Sequence, residues 1–83
     1  MFILEFVDPI TQEIMKHPVV TADGFSYEKR AIKLWLKDHN TSPMTNLPLA
    51  HKKLVPNINL KKQIEAFKER IAKDNEEQIV NNV

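Results

Sequence analysis

The feature that most constrains this chain is the absence of cysteine from a sequence of only 83 residues. A domain of this length buries about 60–65% of the surface that its unfolded chain exposes, so small domains often add disulfides or bound metal for stability. Without cysteine, a disulfide framework, a cysteine-containing zinc site and a thiol nucleophile are all excluded. The chain is long enough for one small domain and too short for two.

The histidines and the charge balance narrow the function classes further. His17, His39 and His51 lie in different segments and form no His-x-x-x-His pair, so we expect neither a metal site nor a cofactor. The chain carries 12 Lys and Arg against 11 Asp and Glu, a net charge of +1. That balance argues against a protein that binds nucleic acid or anionic membranes through bulk charge.

A β-hairpin is predicted in the first third of the chain. Residues 19–21 (Val-Val-Thr) form a short β-branched strand, and residues 25–27 form the return strand. Between them lies Ala22-Asp23-Gly24, the strongest turn signal in the sequence. Gly24 is the only glycine, and we expect it to have a positive φ, which most other residues adopt only with steric strain.

The return strand is predicted to end at Ser26 or Tyr27, and a central helix follows to about Asp38, with Ser26 suited to be its N-cap. The apolar residues with helical spacing form one stripe: Ile32, Trp35 and Leu36. Leu34 lies off that stripe. The helix therefore has more apolar surface than one contact with the core needs.

A second loop and a last helix complete the predicted elements. Pro43 and Pro48 stiffen the loop, and Pro56-Asn57 introduces the helix, with Asn57 or Asn59 as its N-cap. The apolar residues of this helix recur at i, i+4, i+7 and i+11: Leu60, Ile64, Phe67 and Ile71. This spacing predicts one amphipathic helix.

The sequence shows no arrangement of catalytic residues, so its apolar surface residues are the remaining guide to function. Ser26 and Ser42 lack a glycine elbow and a His/Asp arrangement, so we interpret both as cap or turn residues. Ile10 follows a proline in a loop, and Trp35 is the only tryptophan. Two stiff loops beside an apolar helix with an aromatic anchor predict a shallow groove that binds a partner protein. The alternative, that Ile10 and Trp35 are core residues, is about equally favoured by spacing alone.

Four segments carry a family resemblance: DPITQEIMKHPVV, DGFSYEKRAIKLWL, SPMTNLPL and LVPNINLKKQIEAF. They resemble the U-box family, small RING-like domains that work as ubiquitin ligases, and the resemblance covers residues 5–70. It implies an α+β fold with a β-hairpin, a central helix, two long loops and a C-terminal helix. In this family, hydrogen-bond and ion-pair networks replace the zinc ions of RING domains, which agrees with the absence of cysteine.

The resemblance implies a ubiquitin-protein ligase module. Such a module docks a ubiquitin-charged conjugating enzyme without a covalent bond and promotes ubiquitin transfer to a substrate lysine. The alternative is a non-catalytic U-box used for protein interaction or substrate binding. The implied partners are a conjugating enzyme, ubiquitin and an unknown protein substrate, and members of the family often form homodimers. We expect no nucleic acid or membrane partner, and a cytoplasmic or nuclear location.

The resemblance also assigns a site. Ile10, Trp35 and Pro43 match the positions that contact the conjugating enzyme. Asn46 falls where many active members carry arginine, the residue that bridges the conjugating enzyme and ubiquitin. This departure from the family pattern bears on catalytic strength and not on the fold.

Four further matched positions are structural. Gly24 belongs to the hairpin turn, Pro48 shapes the second loop, and Tyr27 and Asn57 match buried polar positions that tie the loops. We expect the domain to span residues 1–74. The polar tail that follows, 75–83, either frays or continues as a partner-binding helix.

Overall fold

The computed structural model describes the backbone of residues 3–81 and the side chains of residues 3–73. Its elements, in chain order, are a 3-10 helix (Leu4–Phe6), β1 (Pro18–Val20), β2 (Ser26–Glu28), α1 (Lys29–Asp38), β3 (Val55–Pro56) and α2 (Ile58–Asn81). Two long loops connect them: the first loop (7–17) and the second loop (39–54). This confirms the predicted α+β fold with a hairpin, a central helix, two long loops and a C-terminal helix.

The sheet has one more strand than the sequence predicted. β1 pairs antiparallel with β2 on one side and with β3 on the other, in the order β2-β1-β3. Val19 lies opposite Tyr27 in β2 and opposite Pro56 in β3. Proline is tolerated here because β3 is an edge strand, where a missing N–H breaks no ladder on the open side. β3 thus fastens the end of the second loop to the hairpin.

The central helix begins later than expected. β2 continues through Glu28, which pairs with Pro18, so Ser26 is a strand residue and the prediction that it caps α1 is wrong. Glu28 occupies the N-cap position without a side-chain capping bond. The helix ends at Asp38, as the sequence predicted.

The described residues form an apolar core of two clusters. The cluster between the sheet and α1 is formed by buried Val19, Tyr27, Ile32 and Leu36, with Trp35, Leu49 and Leu54 packed against it. The cluster under α2 is formed by buried Phe6, Met15 and Ile64, with Ile3, Ile14, Leu60 and Phe67 around it. Ile71, the last residue of the predicted α2 stripe, is 39% exposed, so the packing of this stripe weakens beyond Phe67.

The last helix extends beyond residue 74, the predicted end of the domain. α2 runs to Asn81, so its backbone is helical across most of the segment 75–83 that the sequence marked as a tail. The division into a domain at 1–74 and a tail stays a prediction. Among the described residues, no helix is both long enough and apolar enough to cross a membrane.

Gly24 has φ +88°, as its position in the turn requires. Its N–H donates to the Thr21 carbonyl oxygen at 3.0 Å, which closes the turn between β1 and β2. A Cβ at this position would meet no heavy atom within 4 Å. The demand for glycine therefore comes from the backbone conformation and not from crowding.

We expect Gly24→Ala to lower the free energy of unfolding by about 1–2 kcal/mol, because an L side chain strains a left-handed backbone. Urea unfolding measures the loss. Gly24→Asn is the matched control, since asparagine tolerates positive φ better than alanine, and it should lose clearly less. Equal stability of the alanine variant and the parent would contradict the strain argument.

Asn57 joins three elements through its side-chain amide and its backbone N–H. Its Oδ1 accepts the Leu60 N–H at 3.1 Å, which caps α2. Its Nδ2 donates to the Ser26 Oγ at 3.1 Å, and its backbone N–H donates to the Pro18 carbonyl oxygen at 2.9 Å. The helix cap and the tie to the sheet are thus carried by one side chain.

A double-mutant cycle should separate the two roles of Asn57. We expect Asn57→Ala to cost about 2 kcal/mol, because both the cap and the bond to Ser26 are lost. Ser26→Ala removes only the bond, so the double variant should be less destabilised than the sum of the singles by about 1 kcal/mol. Strictly additive losses in urea unfolding would show that the bond to Ser26 contributes nothing.

Candidate functional site

A groove of about 580 Å³ lies between the first loop and α1. Its apolar wall is formed by Ile10, Ile14, Ala31, Leu34 and Trp35. Ile10 is 37% exposed and Leu34 is 57% exposed, although both are large aliphatic residues. Leu34, which lies off the predicted core stripe of α1, is therefore part of the groove wall. The groove also brings Ile10 and Trp35 together.

Trp35 is fixed in the groove wall by contacts on two sides. Its Nε1 donates to the Thr41 carbonyl oxygen at 2.7 Å. The His39 ring stacks on the indole with ring centres 3.8 Å apart and an angle of 8° between the planes. The Nδ1 of His39 lies 3.0 Å from the Trp35 carbonyl oxygen and must be the donor, because a carbonyl oxygen only accepts. Trp35 is thus both a half-buried core residue and a groove residue.

The first loop is held by the buried carboxylate of Asp8. Its Oδ2 accepts the Thr11 N–H at 2.9 Å, and its Oδ1 accepts the Glu28 N–H at 3.3 Å. The Asp8 backbone also pairs with both sides of the loop, since its N–H donates to Glu13 and its carbonyl oxygen accepts from Gln12, each at 2.8 Å. Ile10 lies inside this hydrogen-bonded turn, so its position is set before any partner arrives.

Glu28 fastens the other end of the first loop. Its Oε2 accepts the N–H groups of Lys16 at 2.9 Å and His17 at 3.0 Å. Nothing in the sequence around Glu28 indicates this role, because its partners lie 11 and 12 residues away. Asp8 did carry a signal: an Asp whose side chain accepts the N–H three residues on is a common turn motif.

The second loop is organised around Ser42, whose side chain is 1% exposed. Its Oγ accepts the N–H groups of Met44 at 3.2 Å and Thr45 at 3.3 Å. Burial alone would raise the pKa of Asp23, but hydrogen bonds from the Ser42 and Thr21 hydroxyls hold it below its usual value. The second loop is therefore organised by a buried hydroxyl, in a chain without cysteine.

Asn46 is an exposed residue with φ +62° in the second loop. Its N–H donates to the Ser42 carbonyl oxygen at 2.8 Å. Asparagine is among the few residues other than glycine that adopt this left-handed conformation readily. The backbone therefore supplies a reason for asparagine at this position that is independent of any contact with a partner.

The two predicted prolines of the second loop have different positions. Pro43 is half-buried and does not line the groove. It directly follows Thr41, which contacts Trp35, and Ser42, which organises the loop. Pro48 forms an isolated antiparallel bridge with Thr41 at the base of the loop. Of the three predicted contact residues, the groove therefore unites Ile10 and Trp35.

Tyr27 is fully buried, but its hydroxyl makes no hydrogen bond to the described residues. Burial raises the pKa of this phenol. The expectation that Tyr27 ties the loops through a polar contact stays a prediction, and its ring packs with Val19, Ile32 and Leu36 in the core. Its place opposite Val19 in the sheet gives the ring that position.

Comparison with known proteins identifies relatives across this whole region. A family model described as U-box domain matches residues 4–73. The chain is 59% identical over 61 residues to the WD repeat, SAM and U-box domain-containing protein 1 of Danio rerio. The aligned residues make up 72% of the chain and 12% of that protein. It is 52% identical over 66 residues to the putative U-box domain-containing protein 55 of Arabidopsis thaliana, covering 78% of the chain and 12% of the relative. The chain thus spans about an eighth of the length of these relatives.

Asp8→Ala tests the buried carboxylate that shapes the groove. We expect it to lower the free energy of unfolding by about 1–3 kcal/mol, because the Thr11 and Glu28 N–H groups lose their acceptor. Thermal and urea unfolding report the loss. Asp38→Ala, at an exposed position of α1, is the matched control and should stay within about 0.5 kcal/mol of the parent. Similar losses for both variants would show that Asp8 has no special structural role.

Proposed function

The chain belongs to the U-box family of ubiquitin-ligase modules, and we propose that it docks a ubiquitin-charged conjugating enzyme in the groove lined by Ile10 and Trp35. In the reaction, the amine of a substrate lysine attacks the thioester carbonyl, and the thiolate of the conjugating enzyme leaves. The chain contains no cysteine that could take ubiquitin over. Its proposed role is therefore to position the conjugating enzyme and its ubiquitin for direct transfer.

The observation that carries the proposal is the meeting of Ile10 and Trp35 in one apolar groove. They come from the first loop and from α1: Ile10 belongs to neither core cluster, and Trp35 packs against the cluster between the sheet and α1 while also lining the groove. Large apolar residues exposed side by side and rimmed by polar groups are typical of protein-interaction sites. Membership of the family supports the proposed class of partner, and the groove supports the proposed place of docking.

The rigidity of the groove supports the same proposal. Asp8 and Glu28 fix the first loop, and Thr41 fixes the indole of Trp35. A surface that is already ordered loses less conformational entropy on binding than a mobile loop does. The side-chain hydrogen bonds thus favour docking without contacting the partner.

Asn46 favours a second candidate, a U-box that binds partners without accelerating transfer. An arginine presents five donors on a long side chain and can bridge two proteins, whereas the amide of Asn46 has two donors on a short one.

The other proposed partners are ubiquitin and a lysine-bearing protein substrate. Homodimer formation and a cytoplasmic or nuclear location stay predictions.

Ubiquitin discharge in single turnover tests the docking proposal. A conjugating enzyme charged with ubiquitin is mixed with free lysine and the domain, and loss of the thioester is followed in time. We expect Ile10→Ala to reduce the domain-stimulated rate by roughly tenfold or more, since removal of a central apolar contact weakens docking strongly. Ile58→Ala is the matched control, because Ile58 is 61% exposed but does not line the groove. Equal activity of both variants would contradict docking in this groove.

Asn46→Arg separates the two candidate functions. If position 46 bridges the conjugating enzyme and ubiquitin, the arginine variant should speed discharge several-fold and leave docking affinity almost unchanged, because only the reactive arrangement gains the contact. Asn46→Gly is the control that keeps the left-handed backbone and removes the amide. A parent that docks a panel of charged conjugating enzymes but stimulates discharge from none supports the non-catalytic module.

A further inference from the structure

Four basic residues beside the groove form what we call the basic rim: Lys16, Lys29, Arg30 and Lys33. We propose that the basic rim selects conjugating enzymes with acidic side chains next to the surface that enters the groove. This inference rests on the proposed docking function and adds a rule of partner choice to it.

The basic rim adjoins the docking groove directly. Its residues surround a shallow depression of about 480 Å³ on the surface formed by the end of the first loop and the start of α1. Lys16 and Arg30 line both the depression and the groove. A protein that fills the groove must therefore lie against the side of the basic rim.

The positive charge of the rim is concentrated there and is only weakly opposed. Glu28 is the one carboxylate in the depression, and its Oε2 already accepts two backbone N–H groups. The rim holds four of the 12 Lys and Arg residues, so the rest of the chain carries more acidic than basic residues. A nearly neutral domain thus presents a strongly basic surface beside its groove.

The basic residues at the start of α1 lie where their charge destabilises the helix. The amide groups of a helix N-terminus carry partial positive charge, so Lys29 and Arg30 repel it, and the first turn contains no acidic residue. Lys33 and Lys37 follow Lys29 at spacings of four residues, which adds repulsion between like charges. Local helix stability would favour acidic residues at these positions, so their basic character points to a partner.

The chemistry of the rim fits an acidic protein surface. The overall charge of +1 gives no bulk attraction to nucleic acid or to anionic membranes, and the rim continues into an apolar wall. An apolar contact flanked by complementary charge is typical of a protein interface, where charge raises the association rate and rejects partners of the wrong sign. The conjugating enzyme proposed for the groove is the partner that would supply it.

Charge reversal at the helix start tests the proposal. The variant Lys29→Glu/Arg30→Glu is compared with the parent for docking of a conjugating enzyme that the parent stimulates, and for its Tm. We expect docking affinity to fall about tenfold at low ionic strength, with most of the loss in the association rate. We expect the Tm to rise by about 3 °C, because acidic residues suit the helix N-terminus. Weaker docking by a more stable domain cannot arise from damage to the fold.

The control is Lys62→Glu/Lys68→Glu on α2, which makes the same change in net charge at exposed positions that do not line the groove. This control should dock within about twofold of the parent. For the parent, docking should weaken as the salt concentration rises from about 0.05 M to about 0.5 M, and the reversed variant should lose most of that dependence.

The outcomes separate this inference from the proposed function. If Ile10→Ala abolishes docking while charge reversal at the rim changes neither affinity nor salt dependence, the groove is the docking site and the rim inference is wrong. Equal losses in the rim and α2 variants would also overturn it, because net charge alone would explain them. Rim-dependent binding of a labelled single-stranded oligonucleotide, with docking unchanged, would assign the rim to nucleic acid instead. If no conjugating enzyme docks to the parent, the proposed function and the rim inference fail together.

Discussion

The arrangement of the first loop depends on two carboxylates, those of Asp8 and Glu28. The Asp8 carboxylate accepts the Glu28 N–H, while the Glu28 carboxylate accepts two N–H groups at the far end of the same loop. Both ends of the first loop are thereby fastened to the junction of β2 and α1. Ile10 lies between these attachment points, and the groove takes its shape from them. Each carboxylate accepts two backbone N–H groups, so the two side chains together fix one loop conformation.

The second loop is organised by the same physical means with different groups. The Ser42 hydroxyl accepts two N–H groups of this loop, from Met44 and Thr45. Lys52 adds a bond from its Nζ to the Leu36 carbonyl oxygen at 2.9 Å, near the end of α1. Each loop is therefore anchored to the hairpin or the helix by a few directed hydrogen bonds. These bonds place the loops beside the apolar face of α1, where the groove is found.

The sequence predicted the elements whose signals are local. Gly24 marked the hairpin turn, the stripe from Leu60 to Phe67 marked α2, and Leu34 marked apolar surface beyond the core. It did not predict β3, because Val55–Pro56 is too short to show a period and contains a proline. It also missed Glu28, whose partners lie across the fold, and misplaced Ser26, whose capping propensity lost to strand pairing with Val20. Contacts between distant segments leave no pattern in one sequence, and the bonds of Glu28 to the first loop and of Lys52 to α1 are of this kind.

The fixed indole of Trp35 bears on how quickly one partner can replace another. The Thr41 carbonyl and the His39 ring keep the indole in place, and the groove it lines is open to solvent. For the proposed ligase, a spent conjugating enzyme must depart before a freshly charged one can dock in the same groove. An open, ordered surface permits that exchange at the speed of diffusion and contact loss, so successive ubiquitin transfers would not wait for the domain to rearrange.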